Sequence, residues 1–239
     1  MRQALAFLTP IGGAREPSPR ALAWFPVVGA FVGALLGVIW WASSRAWPVG
    51  LAAAIVVAAD LAVTGMLHFD GLLDSADGLL PHMSHDRRLQ VMRDPSVGAF
   101  GVAAGAVVLL LRWSALAATR PSVVLLIGIW AVSRAAMAVT SVVMPYARSE
   151  GGLASSFLAG SGAHASAVAG GLLGLAGGLA CLLAWRVGPG LAVLGAQIFA
   201  VLAVLAFAKR RIGGFTGDVL GAMGIISETV ALVVAAAKW

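Results

Sequence analysis

Charged residues are scarce in this sequence: Asp, Glu, Lys and Arg make up 11% of its 239 residues, against 60% hydrophobic. Such scarcity excludes an ordinary soluble domain, whose surface needs a far larger charged share. With a mean hydropathy of +0.96, the chain reads as an integral membrane protein solvated mostly by lipid. Cysteine is almost missing as well. Cys181 stands alone in an apolar run, which rules out a disulfide framework and a cysteine-based zinc site. The opening "MRQALAFLTP" has too short an apolar core for a signal peptide, so it reads as the start of the mature chain. No internal repeat is visible, which speaks against the two-fold construction of many transporters.

Long apolar runs dominate what remains. Runs near the length that spans a bilayer, roughly 20 residues, fall at about 22–42, 48–67, 97–118, 121–144, 165–185, 189–208 and 219–237. The expected fold is therefore an all-α polytopic membrane protein of about seven transmembrane helices in a single domain, 1–239. Six spans with one re-entrant piece is the alternative, since Gly and Pro are tolerated inside spans. Gly29, Gly33 and Gly37, and again Gly170, Gly174 and Gly178, recur every fourth residue on one helix face and predict close helix packing. With the N-terminus inside, ten basic residues collect on the cytoplasmic side (Arg2, Arg15, Arg20, Arg87, Arg88, Arg93, Arg148, Lys209, Arg210, Arg211) and four on the far side (Arg45, Arg120, Arg186, Lys238). That bias predicts the orientation. It also accounts for the pI near 11 through topology and anionic lipid, with no need of a nucleic-acid partner.

Against this background "HFDGLLDSADGLL", residues 68–80, stands out. In a helix, Asp70, Asp74 and Asp77 fall at i, i+4 and i+7, within roughly 60° of arc. Three carboxylates that close repel unless a cation compensates them. Only hard oxygens are on offer, so Mg²⁺ suits the set better than Zn²⁺, with substrate phosphates completing the shell. Gly71 and Gly78 are expected to leave room for a phosphate-bearing ligand. The plainer reading is a solvated acidic loop offsetting Arg87, Arg88 and Arg93. His68, His82 and His85 raise a zinc alternative that lacks a second ligand pair; they read better as interfacial residues. On the same expected side lie Arg148 and Glu150 in "YARSEGGL" and, after Gly213, Gly214 and Gly217, Asp218 in "GGFTGDVLGA". This Gly-rich helix entry could hold phosphate oxygens on free N–H groups or simply be a cap.

Charges inside spans are costly and usually paired or functional. Asp60, Arg134 and Glu228 fit that description, and Arg134 is expected to pair with Glu228 or Asp60 or to meet substrate. Arg112, nearer a span end, is expected to snorkel.

In order along the chain, "WFPVVGAFVG", "HFDGLLDSADGLL", "RLQVMRDPSVGAFG", "SRAAMAVTSVVMPYARSEGGL" and "FTGDVLGA" followed by Glu228 resemble the cobalamin synthase family, the adenosylcobinamide-GDP ribazoletransferases. The resemblance implies a late step of cobalamin synthesis: α-ribazole or its 5'-phosphate attacks adenosylcobinamide-GDP and GMP leaves. It implies Mg²⁺ as cofactor, Asp70, Asp74 and Asp77 as metal ligands, and Asp77 or Asp218 as the general base. Substrate contacts are implied for His68, Arg93, Asp94, Arg134, Arg148, Glu150, Gly217, Asp218 and Glu228. The implied setting is the bacterial cytoplasmic (inner) membrane with the site facing the cytoplasm; assembly as a homo-oligomer, or with other enzymes of the pathway, is left open. CDP-alcohol phosphotransferases also place spaced aspartates at a membrane boundary, but their Ala-Arg pair is missing from "DSADGLL". Prenyltransferases use two aspartate-rich motifs, and only one is found here. A transporter or channel would explain the intramembrane charges and leave the clustered acids unexplained.

Overall fold

The computed structural model describes residues 1–11, 13, 18–148 and 162–239. Helices α1 (Arg2–Leu8), α2 (Phe25–Ala46), α3 (Val49–Val63), α4 (Leu67–Leu79), α5 (His85–Val91), α6 (Ala99–Ala118), α7 (Val123–Val143), α8 (Ala163–Trp185), α9 (Val187–Ile212) and α10 (Gly217–Ala235) follow one another, with a 3-10 turn at Pro19–Trp24. No strand occurs among the described residues; a lone parallel bridge joins Tyr146 to Phe215. Local chemistry sets several ends. Ser122 caps α7 by accepting from the Leu125 N–H at 3.3 Å, and Thr216 caps α10 by accepting from Val219 at 3.3 Å. Gly213, at φ +72°, stops α9 in the left-handed conformation that glycine adopts without strain.

Six of these helices are long and apolar enough to cross a membrane, and α3 with α4 forms a pair bent by 89° that counts as a seventh. Helix packing requires that seventh crossing. Gly37 of α2 lies against Val123 of α7, so the end of α2 and the start of α7 share one end of the bundle. Because a short link joins α6 to α7, α6 must start at the opposite end, and the chain between α2 and α6 has to cross. The expected run 48–67 is thus broken where Gly65 and Met66, both at φ 58°, turn the chain out of α3 and into α4.

The glycine spacing does what the sequence suggests. A Cβ at Gly29 would stand 2.7 Å from Arg134 Cγ, and one at Gly37 2.6 Å from the Val123 Cα; only hydrogen lets α2 approach α7 so closely. On the other side of α7, Gly174 meets Ala135 and Gly178 meets Val132. Between these contacts α7 buries Leu125, Leu126, Ile129 and Trp130 in the core.

The intramembrane charges form one cluster across α3, α6, α7 and α10. Arg112 bonds to the Asp60 carboxylate and donates to Glu228 Oε2 at 2.6 Å, Thr229 Oγ1 at 2.9 Å and the Ile225 carbonyl at 3.1 Å. Arg134 Nη1 donates to Glu228 Oε1 at 2.5 Å. Two cations thus face two anions, and all four residues are buried. Arg112 does not snorkel. It sits on the α6 face turned toward α3 and α10, where inward partners are nearer than the interface. His68 is likewise no interfacial residue: it is buried beneath Gly221 of α10.

Candidate active site

Helix α4 is too short to span a bilayer alone and carries the acidic face along α6 and α10. Glycines again set the contacts. A Cβ at Gly71 would stand 2.8 Å from the Asp218 carbonyl oxygen, and one at Gly78 2.9 Å from Met92 Sδ. The expected phosphate clearance at Gly71 and Gly78 is therefore overturned, because both spaces are filled by the protein. Gly217 differs, with nothing within 4 Å of its missing Cβ. Replacing Gly71 by Ala is expected to lower the melting temperature by several degrees, since overpacking of this kind costs about 1–3 kcal/mol, whereas Gly217→Ala should leave it unchanged. Thermal unfolding in detergent checks both, and equal melting temperatures for the two variants would contradict the packing assignment.

The three aspartates do different jobs. Asp77 is buried, and its two oxygens accept from the Gly98 N–H at 2.7 Å and the Gly101 N–H at 2.9 Å. It caps α6 from a neighbouring helix and pins α4 to that helix's positive end. Asp70 is exposed and Asp74 half-buried, and neither carboxylate has a hydrogen-bond or ion-pair partner among the described residues. Asp74 lies within electrostatic reach of Asp70, Asp218 and Asp77. Arg88 closes the C-terminal end of α4, just past Asp77, donating to the Gly78 carbonyl at 2.9 Å and the Leu79 carbonyl at 2.8 Å. Nothing in the local sequence marks that cap, because the contact needs the chain to reverse between α4 and α5.

Arg148, after α7, and Asp218, at the entry to α10, come together. Ala147 N–H donates to the Phe215 carbonyl at 2.8 Å and Phe215 N–H to the Pro145 carbonyl at 3.0 Å, with Tyr146 edge-on to the Phe215 ring. This splice delivers Arg148 to Asp218, Nη2 to Oδ2 at 2.6 Å, while the Thr216 hydroxyl supports the same oxygen at 3.1 Å. Arg148 also reaches the Met92 carbonyl at 3.4 Å, and its Nε is buried without a partner among the described residues. Of the remaining expected site residues, Arg93 and Asp94 lie exposed on the α5–α6 link. Asp94 Oδ1 accepts from Ser96 N–H at 2.9 Å, and the bonds from Ser96 hold its carboxyl below the usual range. Arg134, Glu228 and His68 are buried away from this face. Glu150, like Arg15, lies outside the described residues.

Among the described residues no three His, Cys, Asp or Glu side chains make a ready-made metal cage. The face still suits Mg²⁺ chemically. Two unpartnered carboxylates one helical turn apart offer hard oxygens, and Mg²⁺ commonly takes one or two carboxylates and leaves its other positions to water and substrate phosphates.

Comparison with known proteins shows the chain's family. Residues 1–236 match the family described as "Cobalamin-5-phosphate synthase". Proteins named "Adenosylcobinamide-GDP ribazoletransferase" are 39% identical over 213 residues in Chlorobium phaeovibrioides (87% of this chain, 84% of that protein) and 37% over 243 residues in Chlorobaculum parvum (99% and 93%). One from Deinococcus radiodurans is 38% identical over 238 residues (96% and 82%). No solved structure matches. A match over nearly the full length, together with relatives above 35% identity across most of both chains, means that this chain belongs to the cobalamin-5-phosphate synthase family.

Proposed function

We propose that the chain is an adenosylcobinamide-GDP ribazoletransferase, joining α-ribazole or its 5'-phosphate to adenosylcobinamide-GDP in a late step of cobalamin synthesis. The observation that carries this reading is the meeting, at one end of the bundle, of the unpartnered Asp70 and Asp74 with the Arg148–Asp218 pair. The ribazole hydroxyl oxygen forms a new P–O bond at the corrinoid-side phosphorus, the diphosphate P–O bond breaks, and GMP leaves with the electron pair. Asp70 and Asp74 hold Mg²⁺, which supplies compensation for the charge on the diphosphate. Asp77, its oxygens engaged by α6, keeps α4 in register, so the expected three-carboxylate set narrows to two ligands and an anchor. Arg148 presents its unpartnered Nε to a phosphate oxygen. Asp218 accepts the hydroxyl proton as Arg148 moves its charge onto the phosphate. The open space beside Gly217 lets the nucleophile approach Asp218 closely.

Purified protein given adenosylcobinamide-GDP, α-ribazole and Mg²⁺ should release GMP in step with a corrinoid phosphodiester; GMP without the phosphodiester, or neither product, rejects the reading. The proposed location is the bacterial inner membrane with this face in the cytoplasm. In a Cys181→Ser background, cysteines placed at Asp86 and Arg211 should resist a membrane-impermeant thiol reagent in intact cells and react after lysis. Labelling of both from outside would reverse the orientation.

A further inference from the structure

Among the described residues, the opposite end of the bundle carries cations and no Asp or Glu side chain. No Asp or Glu falls in residues 42–52, 113–127, 180–193 or 230–239, the segments that build this end. Arg45 rests on the Trp41 ring at 3.8 Å. Two other cations face a shared space. The α6–α7 and α8–α9 links bring Arg120 and Arg186 to a cavity of about 400 Å³, lined also by Thr119, Trp185 and the alanines that end α10. Both arginines are exposed, and neither guanidinium bonds to a side chain among the described residues. Arg186 sits over the Trp185 ring at 5.9 Å. The Thr119 hydroxyl is turned away, donating to the Ala115 carbonyl at 2.8 Å. The last carbonyls of α10 favour the two cations but supply only partial negative charge.

The geometry points to a phosphate site here, occupied by the headgroup of an anionic phospholipid. Guanidiniums bind phosphate oxygens in pairs of parallel hydrogen bonds, and two of them across one cavity form a clamp. The alanine methyl groups give the glycerol and first acyl carbons an apolar floor. Trp41, Trp47, Trp113 and Trp239 are exposed around the same end, as tryptophans are at the headgroup level of a bilayer. A lipid phosphate is the anion present there at high local concentration, and it supplies the countercharge that no side chain of these segments provides.

The test uses full-length protein in nanodiscs of phosphatidylglycerol or phosphatidylcholine, and in detergent with inorganic phosphate. Native mass spectrometry reads retained lipid and thermal unfolding reads stabilisation. Wild type and Arg45→Gln should retain phosphatidylglycerol and melt higher in it than in phosphatidylcholine. The double variant Arg120→Gln/Arg186→Gln should lose that difference, with retention weaker by about tenfold as two charge-assisted contacts disappear. GMP release should stay at the wild-type level in the double variant, since the cavity is remote from the acidic face. Equal retention by the double variant overturns the site, and equal stabilisation of wild type by inorganic phosphate overturns the lipid as its occupant.

Discussion

Replacing Arg112 by leucine should prevent stable folding or lower stability by about 3–5 kcal/mol, the usual cost of removing one partner from a buried ion pair. The loss would strand the Asp60 carboxylate and leave Glu228 with Arg134 alone, deep among helices that cannot admit bulk water. Four hydrogen-bonding partners on two helices depend on that guanidinium: Asp60, Glu228, Thr229 and the Ile225 carbonyl. Arg112→Lys should rescue little, because one ammonium cannot span Asp60 and Glu228 while bonding to both Thr229 and Ile225. Arg134→Leu should fail similarly through Glu228. Arg45→Leu, on an exposed cation, should be tolerated. Thermal unfolding of the detergent-solubilised variants checks the series, and a wild-type melting temperature for Arg112→Leu would contradict the cluster's structural role.

Arg112 also shows where sequence reasoning stops. Hydropathy locates a residue along a helix, and Arg112 does stand near the end of α6. Which face it occupies depends on neighbours more than a hundred residues away, Glu228 and Thr229, and periodicity cannot report them. Glycines divide in the same manner. Gly29, Gly33 and Gly37 are legible because a four-residue repeat leaves packing as the simplest cause. Gly71 and Gly78 are single glycines beside acids, equally compatible with ligand clearance or helix contact, and only Asp218 and Met92 in place decide the matter. The acidic stripe was legible from its spacing and so was its company with Arg148 and Asp218. Asp77's engagement by α6 was not, since a carboxylate pointing at a foreign helix N-terminus has the same sequence signature as a ligand.

The second large effect concerns the two free carboxylates. Asn keeps the shape of Asp and one oxygen while removing the charge, so Asp70→Asn and Asp74→Asn should leave the bundle intact and weaken Mg²⁺ binding. Loss of groups that hold or orient a metal typically costs about 10- to 100-fold in affinity or activity. If both carboxylates serve one ion, the double variant should be little worse than the more damaging single change once the ion is gone. Asp77→Asn should behave differently: an amide that keeps one acceptor oxygen can still receive one of the two α6 N–H groups, so the damage should appear in thermal stability as well as in rate. Asp86, exposed in the first turn of α5 beside His85, should tolerate Asn in both respects.

The most direct measurement is GMP release from adenosylcobinamide-GDP and α-ribazole, titrated with Mg²⁺, for the wild-type protein and the Asp70→Asn, Asp74→Asn and Asp86→Asn variants. The predicted result is release that requires Mg²⁺, with the midpoint displaced at least about tenfold in the first two variants and unmoved in the third. Wild-type rates and an unchanged midpoint in Asp70→Asn and Asp74→Asn would contradict the account and leave the α4 carboxylates as a solvated acidic surface.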